Sequence, residues 1–248
     1  MGDLSERERA KYRRQIMIPG FGEEAQRRLK GASALVTRAG GLGGPVALYL
    51  AAAGIGKLVV AHGGTLTPSN LNRQILMTHD WVGKPRADKI RESILRLNPE
   101  VDLTVIAEDA HADNAAAWVA QVDLVCDCPP TFEERFVLNE AVVAQRKPMV
   151  EAAMNSMEAY LTVIVPGETP CLKCLYPEAP PWWSGRGFPV LGAVSGALGC
   201  LAAIEAIKVL TGFGQPLKGQ MLVFDTETQD YRKFAVQRRA DCPVCGGL

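Results

Sequence analysis

The sequence predicts an α/β fold with a doubly wound, mostly parallel sheet and an antiparallel extension toward the C-terminus. Two observations predict the parallel part: helix-like and strand-like segments alternate through residues 31–155, and a glycine-rich turn joins the first strand to the first helix. A third observation predicts the extension, because the pattern after residue 155 changes to hairpin-like strands. No flexible linker separates the two parts, so we expect a single domain over residues 1–248.

The elements follow from the N-terminus. Residues 1–30 predict two helices, at 5–16 and 23–29, which a Pro-Gly-Phe-Gly segment separates. Residues 31–155 predict a Rossmann-like core of the nucleotide-binding type, and residues 156–248 predict the strand extension, a crossover loop and a C-terminal clamp. Further helices are predicted at residues 45–53, 89–97, 114–121, 132–145 and 191–211, and strands at residues 34–37, 57–61, 101–106, 123–126, 148–151, 159–165, 220–225 and 231–236.

Composition narrows the class of protein. Hydrophobic residues make up 48% of the 248 residues, which is enough for a large core. The 27 basic and 27 acidic residues balance, which argues against a nucleic acid or a membrane surface as the main partner. No run of 18 uncharged apolar residues occurs, and the charged N-terminus does not resemble a signal peptide. We therefore expect a cytoplasmic location.

Four of the seven cysteines form two Cys-x-x-Cys pairs, Cys171 with Cys174 and Cys242 with Cys245. This spacing lets a tight turn aim both thiolates at one tetrahedral metal ion, and two pairs complete a closed site with no open position for a substrate. In a reducing compartment the pattern favours metal binding over disulfides. It predicts one structural zinc ion. The alternative is two unrelated pairs that are redox-active or free.

The glycine-rich turn at residues 38–44 is a weak signal when it is taken alone. Backbone N–H groups at the start of the following helix can bind a phosphate. A dinucleotide site, however, requires a glycine where Arg38 stands and an acidic residue at the end of the second strand, where His62 stands. The turn therefore argues against an NAD-dependent oxidoreductase.

Several motifs occur together in one order: Tyr-Arg-Arg-Gln-Ile at residues 12–16, Ala-Gly-Gly-Leu-Gly at 39–43, Ser-Asn-Leu-Asn-Arg-Gln at 69–74, and the two cysteine pairs. With these motifs, the chain from about residue 5 to its end resembles the ThiF/MoeB/HesA family of ubiquitin-activating-enzyme-like adenylyltransferases. The resemblance implies ATP-dependent adenylation of the C-terminal glycine of a small ubiquitin-like sulfur carrier. It also implies a homodimer or heterodimer and, as in many bacterial members, a four-cysteine zinc site.

The resemblance assigns roles to individual residues. Arg14 corresponds to an arginine that reaches into the partner subunit's site, and Asn70 and Arg73 correspond to ATP-contacting positions. We therefore predict Arg14 and Arg73 as catalytic residues. The predicted cofactor-binding residues are Gly41, Asn70, Arg73, Gln74, Arg86 and Asp127.

The sequence also departs from the family's pattern around the nucleotide. Relative to that pattern, Arg38 replaces the first glycine of the turn, His62 and Gly64 replace two aspartates, Arg86 replaces a lysine, Pro130 replaces the magnesium-binding aspartate, and Gly185 replaces the crossover-loop cysteine. Magnesium and cationic side chains neutralise the charge that builds up in adenylation. Losing the metal carboxylate and the ribose anchor together is expected to lower the rate by several powers of ten. Binding of ATP and magnesium is therefore expected to be lost or strongly reduced, unless a neighbouring acid such as Asp127 takes over the missing role.

Three functions stay open. The first is a degenerate family member that acts as a dimeric scaffold for a ubiquitin-like protein or peptide, or that lends Arg14 to an active paralogue. The second is a working adenylyltransferase with an altered nucleotide site. The third is a pocket repurposed for another phosphorylated ligand, with Arg38, His62 and Arg86 as a metal-free anion site.

Overall fold

The computed structural model describes residues 2–181, 183 and 187–248, and an eight-stranded sheet runs through them. The strands are β1 (Ser33–Thr37), β2 (Lys57–Ala61), β3 (Asp102–Ile106), β4 (Leu124–Asp127), β5 (Met149–Asn155), β6 (Glu158–Ile164), β7 (Gln220–Asp225) and β8 (Asp230–Ala235). Their spatial order is β3-β2-β1-β4-β5-β6-β7-β8. Strands β1 to β5 pair in parallel, and β6, β7 and β8 continue the same sheet in antiparallel pairs. The predicted fold class is confirmed.

Helices cover both faces of the sheet. They are α1 (Glu6–Lys11), α2 (Arg13–Ile16), α3 (Gly22–Gly31), α4 (Gly43–Ala53), α5 (Arg86–Leu97), α6 (Ala115–Val119), α7 (Phe132–Ala144), α8 (Leu172–Leu175) and α9 (Gly192–Thr211), with 3-10 turns at Pro68–Asn70 and His79–Trp81. Side chains alternate across β1, so Ala34 and Val36 pack with α3, α4, α5 and α9, whereas Leu35 packs with α6, α7 and α8. The central parallel strands β1, β2 and β4 are thus buried on both faces, as is usual for parallel strands.

The N-terminal segment differs from the prediction of one helix over residues 5–16. The helix breaks at Tyr12, whose backbone leaves the helical region at φ −97° and ψ 9°. The Tyr12 ring is buried over Gly54, where a Cβ atom would lie only 2.5 Å from Cζ of the ring. The ring fits there because only a glycine at position 54 leaves room for it. The chain changes direction at Tyr12 to bury the ring. The short α2 therefore projects separately from α1.

The long apolar helix α9 is the one described helix that is long and apolar enough to cross a membrane, by length and composition only. It packs against α4 and against β5 and β6. Its buried Glu205 accepts hydrogen bonds from Lys208 Nζ at 2.6 Å and from the Leu217 backbone N–H at 2.8 Å. The apolar composition of α9 is therefore explained by its packing in the protein core.

The sheet order places a crevice at one point. Strand β1 is followed in space by β2 on one side and by β4 on the other, so the connections leave β1 and β4 in opposite directions. In open parallel sheets, ligands bind outside the carboxyl ends of the strands at such a switch point. Arg38, His62 and Cys128 directly follow β1, β2 and β4 at this edge.

Candidate functional site

The four cysteines meet in one buried cluster, which we call the cysteine cluster. Their Sγ atoms all lie within 4.8 Å of one another, with 3.6 Å from Cys171 to Cys242, 3.4 Å from Cys174 to Cys245 and 4.0 Å from Cys171 to Cys174. A tetrahedral zinc ion with Zn–S bonds of about 2.3 Å separates its sulfurs by about 3.8 Å. The separations are far longer than a disulfide bond and match a shared metal ion.

The chain around the cysteine cluster supports this geometry. Cys171 caps α8, and Asn139 of α7 accepts a hydrogen bond from the Leu172 backbone N–H at 2.8 Å. On the C-terminal side, the Arg239 backbone N–H points at the Cys174 sulfur at 3.4 Å. Burial raises the pKa of the Cys171 and Cys174 thiols, so their thiolates need a cation beside them. The residues present therefore fit a metal ion.

A second candidate site is a cavity of about 310 Å³ at the switch point between β1 and β4. Its lining combines polar residues and glycines with largely apolar residues. The first group consists of Arg38, Gly40, Gly41, His62, Ser69, Asn70, Arg73, Gln74, Arg86, Arg135 and Ser195, and the second of Leu42, Cys128, Pro129, Pro130, Met154, Trp183, Phe188 and Val190. The lining thus holds four guanidinium groups, whereas no described Asp or Glu side chain lines it.

Arg38 forms a bridge across the carboxyl edge of the sheet, which we call the Arg38 bridge. Its Nε and Nη2 each donate to a carboxylate oxygen of Glu134 at 2.7 Å, and its Nη1 lies 2.5 Å from Asp109 Oδ1. Glu134 belongs to the first turn of α7, and Asp109 follows β3. Paired bonds to one carboxylate are the strongest arrangement that a guanidinium makes. The expectation that Arg38 belongs to an open anion site is therefore wrong, since two carboxylates already engage it.

The backbone at Arg38 still follows the path that favours glycine. Its φ is +60°, and its carbonyl accepts a hydrogen bond from the Gly40 N–H at 2.6 Å. A left-handed conformation costs a non-glycine residue roughly 1–2 kcal/mol. The Arg38 bridge offsets this cost, so the turn keeps its shape although its first glycine is replaced.

His62 lies at the end of β2 and is 5% exposed. Burial, together with the charges of Arg86 and Arg38, lowers the pKa of its imidazole from 6.5 to about 3. The ring is therefore neutral near pH 7, and its Nδ1 has no hydrogen-bond partner among the described residues. A neutral imidazole differs from the aspartate of the family pattern because it carries no charge.

The 3-10 turn at residues 68–70 and the segment after it supply three of the six predicted cofactor-binding residues, Asn70, Arg73 and Gln74. Arg86 donates to the Gly63 carbonyl at 3.0 Å and to Asn70 Oδ1 at 2.8 Å. Arg73 is half-buried and donates to the Ser69 carbonyl and to Asn72 Oδ1, and burial lowers its pKa.

The glycine turn meets this segment closely. A Cβ atom at Gly41 would lie 2.7 Å from Ser195 Oγ and 3.0 Å from Arg73 Cβ, so only glycine fits there. Gly41, Asn70, Arg73, Gln74 and Arg86 all line the cavity. Their assignment as cofactor-binding residues stays a prediction, but the structure places them together.

Asp127 does not join them. It is fully buried at the end of β4, outside the cavity lining, and its Oδ2 accepts a hydrogen bond from Arg135 Nη1 at 2.9 Å. The same Nη1 lies 3.3 Å from Glu151 Oε1, and Arg135 Nη2 donates to the Ala152 carbonyl. Burial raises the pKa of Asp127 to about 6 and that of Glu151 to about 7. As a substitute magnesium ligand, Asp127 would first have to leave Arg135.

Four charged residues in these two networks were missed by the sequence reasoning: Asp109, Glu134, Arg135 and Glu151. Each lies on a different segment from its partner, 96 residues away in the case of Arg38 and Glu134. Glu134 and Arg135 follow the Pro-Pro-Thr segment after β4, in a helix predicted only as an apolar-patterned one. The one usable signal was an Arg in a position that normally requires glycine.

Arg14 lies outside this network. It belongs to α2, is exposed, and is not among the described residues that line the cavity. Its neighbour Arg13 is equally exposed. A role of Arg14 in catalysis therefore requires the site of another subunit and stays a prediction.

The crossover loop is described only in part. Trp182 and the predicted position of the missing cysteine, Gly185, lie outside the described residues. Trp183 lines the cavity and stacks on Phe188, with 5.1 Å between the ring centroids, and it meets Phe132 edge-on at 5.7 Å. These rings form the apolar wall opposite the guanidinium groups.

Comparisons with known proteins agree with this fold. A model of the ThiF family matches residues 12–244. Heterocyst protein HesA of Trichormus variabilis is 52% identical over 246 residues, which is 99% of this chain and 92% of that protein. A sulfur carrier protein adenylyltransferase of Thermus thermophilus is 38% identical over 95% of this chain and 90% of that protein. Among solved structures, E. coli MccB shares the fold with a TM-score of 0.80 at 24% identity, over 90% of this chain and 67% of that one.

Proposed function

This chain belongs to the ThiF family, and we propose that it is a member whose magnesium-dependent ATP adenylation is lost or strongly reduced. It serves instead as a dimeric scaffold or partner subunit for a ubiquitin-like carrier, a peptide or an active paralogue. One observation carries the proposal: no described carboxylate lines the cavity in which the family's nucleotide site would lie.

The chemistry of adenylation explains the weight of this observation. A carboxylate must attack the α-phosphate of ATP, so two anions approach each other. Magnesium offsets this repulsion, and proteins hold magnesium through carboxylate oxygens. The position of the metal-binding aspartate is Pro130, and Asp127 is buried against Arg135. Two of the four lining guanidinium groups, Arg38 and Arg135, already bind carboxylates. Arg73 donates only to neutral oxygens among the described residues, which favours a bare anion over a magnesium complex.

The partner is proposed from relatives and from exposure. The Thermus relative is named for adenylating a sulfur carrier protein, and MccB has been solved in complex with N-formylated MccA. A ubiquitin-like protein or a peptide is therefore the class of partner we propose. Arg14 is exposed on a short projecting helix, which suits an arginine that acts in a second subunit.

We further propose that the cysteine cluster holds a structural zinc ion and that the protein is cytoplasmic. Cysteine-only coordination closes all four positions, so the ion would stabilise the C-terminus rather than bind substrate. Arg238 adds to this attachment by donating to the Gly167 and Cys245 carbonyls at 2.9 Å and 2.6 Å.

ATP–pyrophosphate exchange tests the proposal. The purified protein, alone and with candidate carriers, is expected to give no magnesium-dependent exchange above background. Robust exchange by the protein alone would refute it and would establish the working adenylyltransferase instead. With an active paralogue, exchange should rise, and Arg14→Ala should abolish the rise whereas the adjacent Arg13→Ala should not.

A gain-of-function variant makes the same test sharper. Restoring the family's residues through Pro130→Asp and His62→Asp in an Arg38→Gly background is expected to introduce measurable exchange, because the metal and ribose ligands return and the Arg38 ion pairs are removed. The matched control carries Pro129→Asp in place of Pro130→Asp, which places an acid one residue away on the same loop. Equal exchange in both variants would argue against loss of the metal ligand as the cause.

A second candidate function is a cavity repurposed for a phosphorylated ligand. The grouping of Arg73 and Arg86 with the glycine turn favours it. This candidate is compatible with a scaffold role, and its ligand is the subject of the following subsection.

A further inference from the structure

We propose that the cavity is a magnesium-independent site for a small hydroxylated phosphate ester without a nucleobase. The geometry that points to this ligand is a cationic phosphate end, two buried polar atoms without partners beside it, and a blocked nucleoside end. The inference rests on the proposed function, because it requires that the cavity does not hold magnesium–ATP.

The nucleoside end is blocked by the Arg38 bridge. In folds of this type the ribose of a nucleotide lies by the end of β2, where an acidic residue binds its hydroxyl group. Asp109 occupies that region: its Oδ1 accepts the Gly63 backbone N–H at 3.0 Å and also meets Arg38 Nη1. A Cβ atom at Gly63 would lie 3.0 Å from the same oxygen, so the loop packs tightly. A purine would have to displace this ion pair.

The phosphate end remains open to the cavity. Gly40 and Gly41 line it where the 11-residue helix α4 begins, and the backbone N–H groups of Gly41, Leu42 and Gly43 have no hydrogen-bond partner there among the described residues. Arg73 lies against Gly41, and its Nη1 donates to two neutral oxygens and to no described carboxylate, so its positive charge is available to a phosphate. Ser195 adds a hydroxyl at the same place.

Two buried side chains that line the cavity lack partners. Nδ1 of His62 and Oε1 of Gln74 make no hydrogen bond with described residues, and the two residues are only 5% and 7% exposed. Buried polar atoms without partners are rare in folded proteins, since each costs free energy. A hydroxyl group both donates and accepts, so it satisfies an imidazole or an amide in either orientation. These atoms therefore select hydroxyl groups on the ligand.

Calorimetry with defined probes tests the site on the full-length protein. Ribose 5-phosphate is expected to bind about tenfold more tightly than inorganic phosphate, since each hydroxyl adds roughly one hydrogen bond. Magnesium should leave this affinity unchanged, and AMP should bind more weakly than ribose 5-phosphate. The proposal is overturned if ribose 5-phosphate does not bind, if it binds no better than phosphate, or if AMP or magnesium–ATP binds more tightly.

A variant of Gln74 tests whether this side chain selects hydroxyl groups on the ligand or only supports the fold. Gln74→Met keeps the side-chain volume and should lower ribose 5-phosphate affinity about fivefold while leaving inorganic phosphate unchanged. Equal losses for both probes would contradict the proposed role of Gln74. Gln121→Met, which alters an exposed glutamine far along the chain, is the matched control.

The blocked nucleoside end has its own test. Arg38→Gly restores the glycine that φ +60° favours and removes the bridge, so AMP affinity should rise at least about tenfold while ribose 5-phosphate affinity holds. If this variant unfolds, Asp109→Asn opens the more exposed half of the bridge and should raise AMP affinity less. Unchanged AMP affinity in a folded variant would overturn the blocking role.

The two proposals fail separately. Exchange activity with magnesium–ATP would refute both. Absence of exchange together with absence of ribose 5-phosphate binding would refute only the ligand proposed for the cavity.

Discussion

The cysteine cluster and the cavity share one chain but differ in how their residues are encoded. The cluster consists of two short repeats, each with its two ligands three positions apart, and the structure brings their sulfurs within 4.8 Å. The cavity draws its residues from the ends of β1, β2 and β4, the segment at residues 69–74, α5 and α9. The first site can be read from local spacing, whereas the second requires the assembled sheet.

The two sites also differ in which residues of the family's pattern they retain. The cluster retains a full ligand set for a metal ion, while the cavity has replaced acids by neutral or basic groups. New ion pairs accompany the replacements, because Arg38 binds Glu134 and Asp109 instead of leaving a gap. At position 38, charge pairing therefore stabilises the turn in the absence of the family's glycine.

The largest expected effect comes from breaking the cysteine cluster. Cys171→Ser should abolish stoichiometric zinc and lower the melting temperature by more than about 10 °C, because metal binding contributes directly to folding free energy. Metal analysis and thermal denaturation measure the two quantities. Cys200→Ser on α9 lies outside the cluster and should retain the metal and change the melting temperature by less than about 3 °C. A zinc-free wild-type protein would contradict the assignment.

The next largest effect comes from breaking the Arg38 bridge. Arg38→Met should cost about 3 kcal/mol of unfolding free energy, because the buried Glu134 carboxylate loses its bidentate partner. Adding Glu134→Gln should recover more than about 1 kcal/mol, since the neutral amide tolerates burial better. Urea denaturation measures both variants against Arg96→Met, an exposed arginine. Strict additivity of the two substitutions would show that the pair is not coupled.

A smaller expected effect is the contribution of His62 to the pH dependence of the unfolding free energy. Its pKa is about 3 in the folded protein and about 6.5 when unfolded, so the unfolded chain binds more protons between these values. The unfolding free energy should therefore fall as pH decreases through this window, by about 2 kcal/mol between pH 7 and pH 5.

The difference between wild type and His62→Gln isolates this term. This difference cancels the contribution of the Asp127 and Glu151 carboxyl groups, which both proteins share. Their raised pKa values act in the opposite sense, since their contribution to stability decreases as pH rises. Denaturant unfolding at pH 5 and pH 7 supplies the data. An identical pH dependence in the two proteins would mean that folding does not lower the pKa of His62.

The smallest effect on stability belongs to Arg14. Because its side chain is exposed, Arg14→Ala should change the unfolding free energy by less than about 0.5 kcal/mol. In a mixture with an active paralogue the same variant should lower exchange more than about tenfold, since it removes a guanidinium from the partner's site. Loss of stability with unchanged exchange would reverse this assignment.

Much of the fold could be predicted because its signals are local. The second strand was predicted at residues 57–61, where β2 lies, and the last three strands were predicted within one residue of β6, β7 and β8. Alternating apolar residues and flanking glycines encode such segments directly. The break at Tyr12 and the four-residue α8 were missed, because each depends on a contact with a distant part of the chain.

The candidate site was predictable only in part for the same reason. The sequence by itself determined the sheet, the metal-ligand set and the replaced acids, because each depends on periodicity, spacing or identity at one position. Only the tertiary structure decided that Arg38 is held by Asp109 and Glu134, and that Asp127 is held by Arg135. Charged groups far apart in sequence choose partners after the sheet has brought them together, and burial then sets which pairs are strong enough to persist.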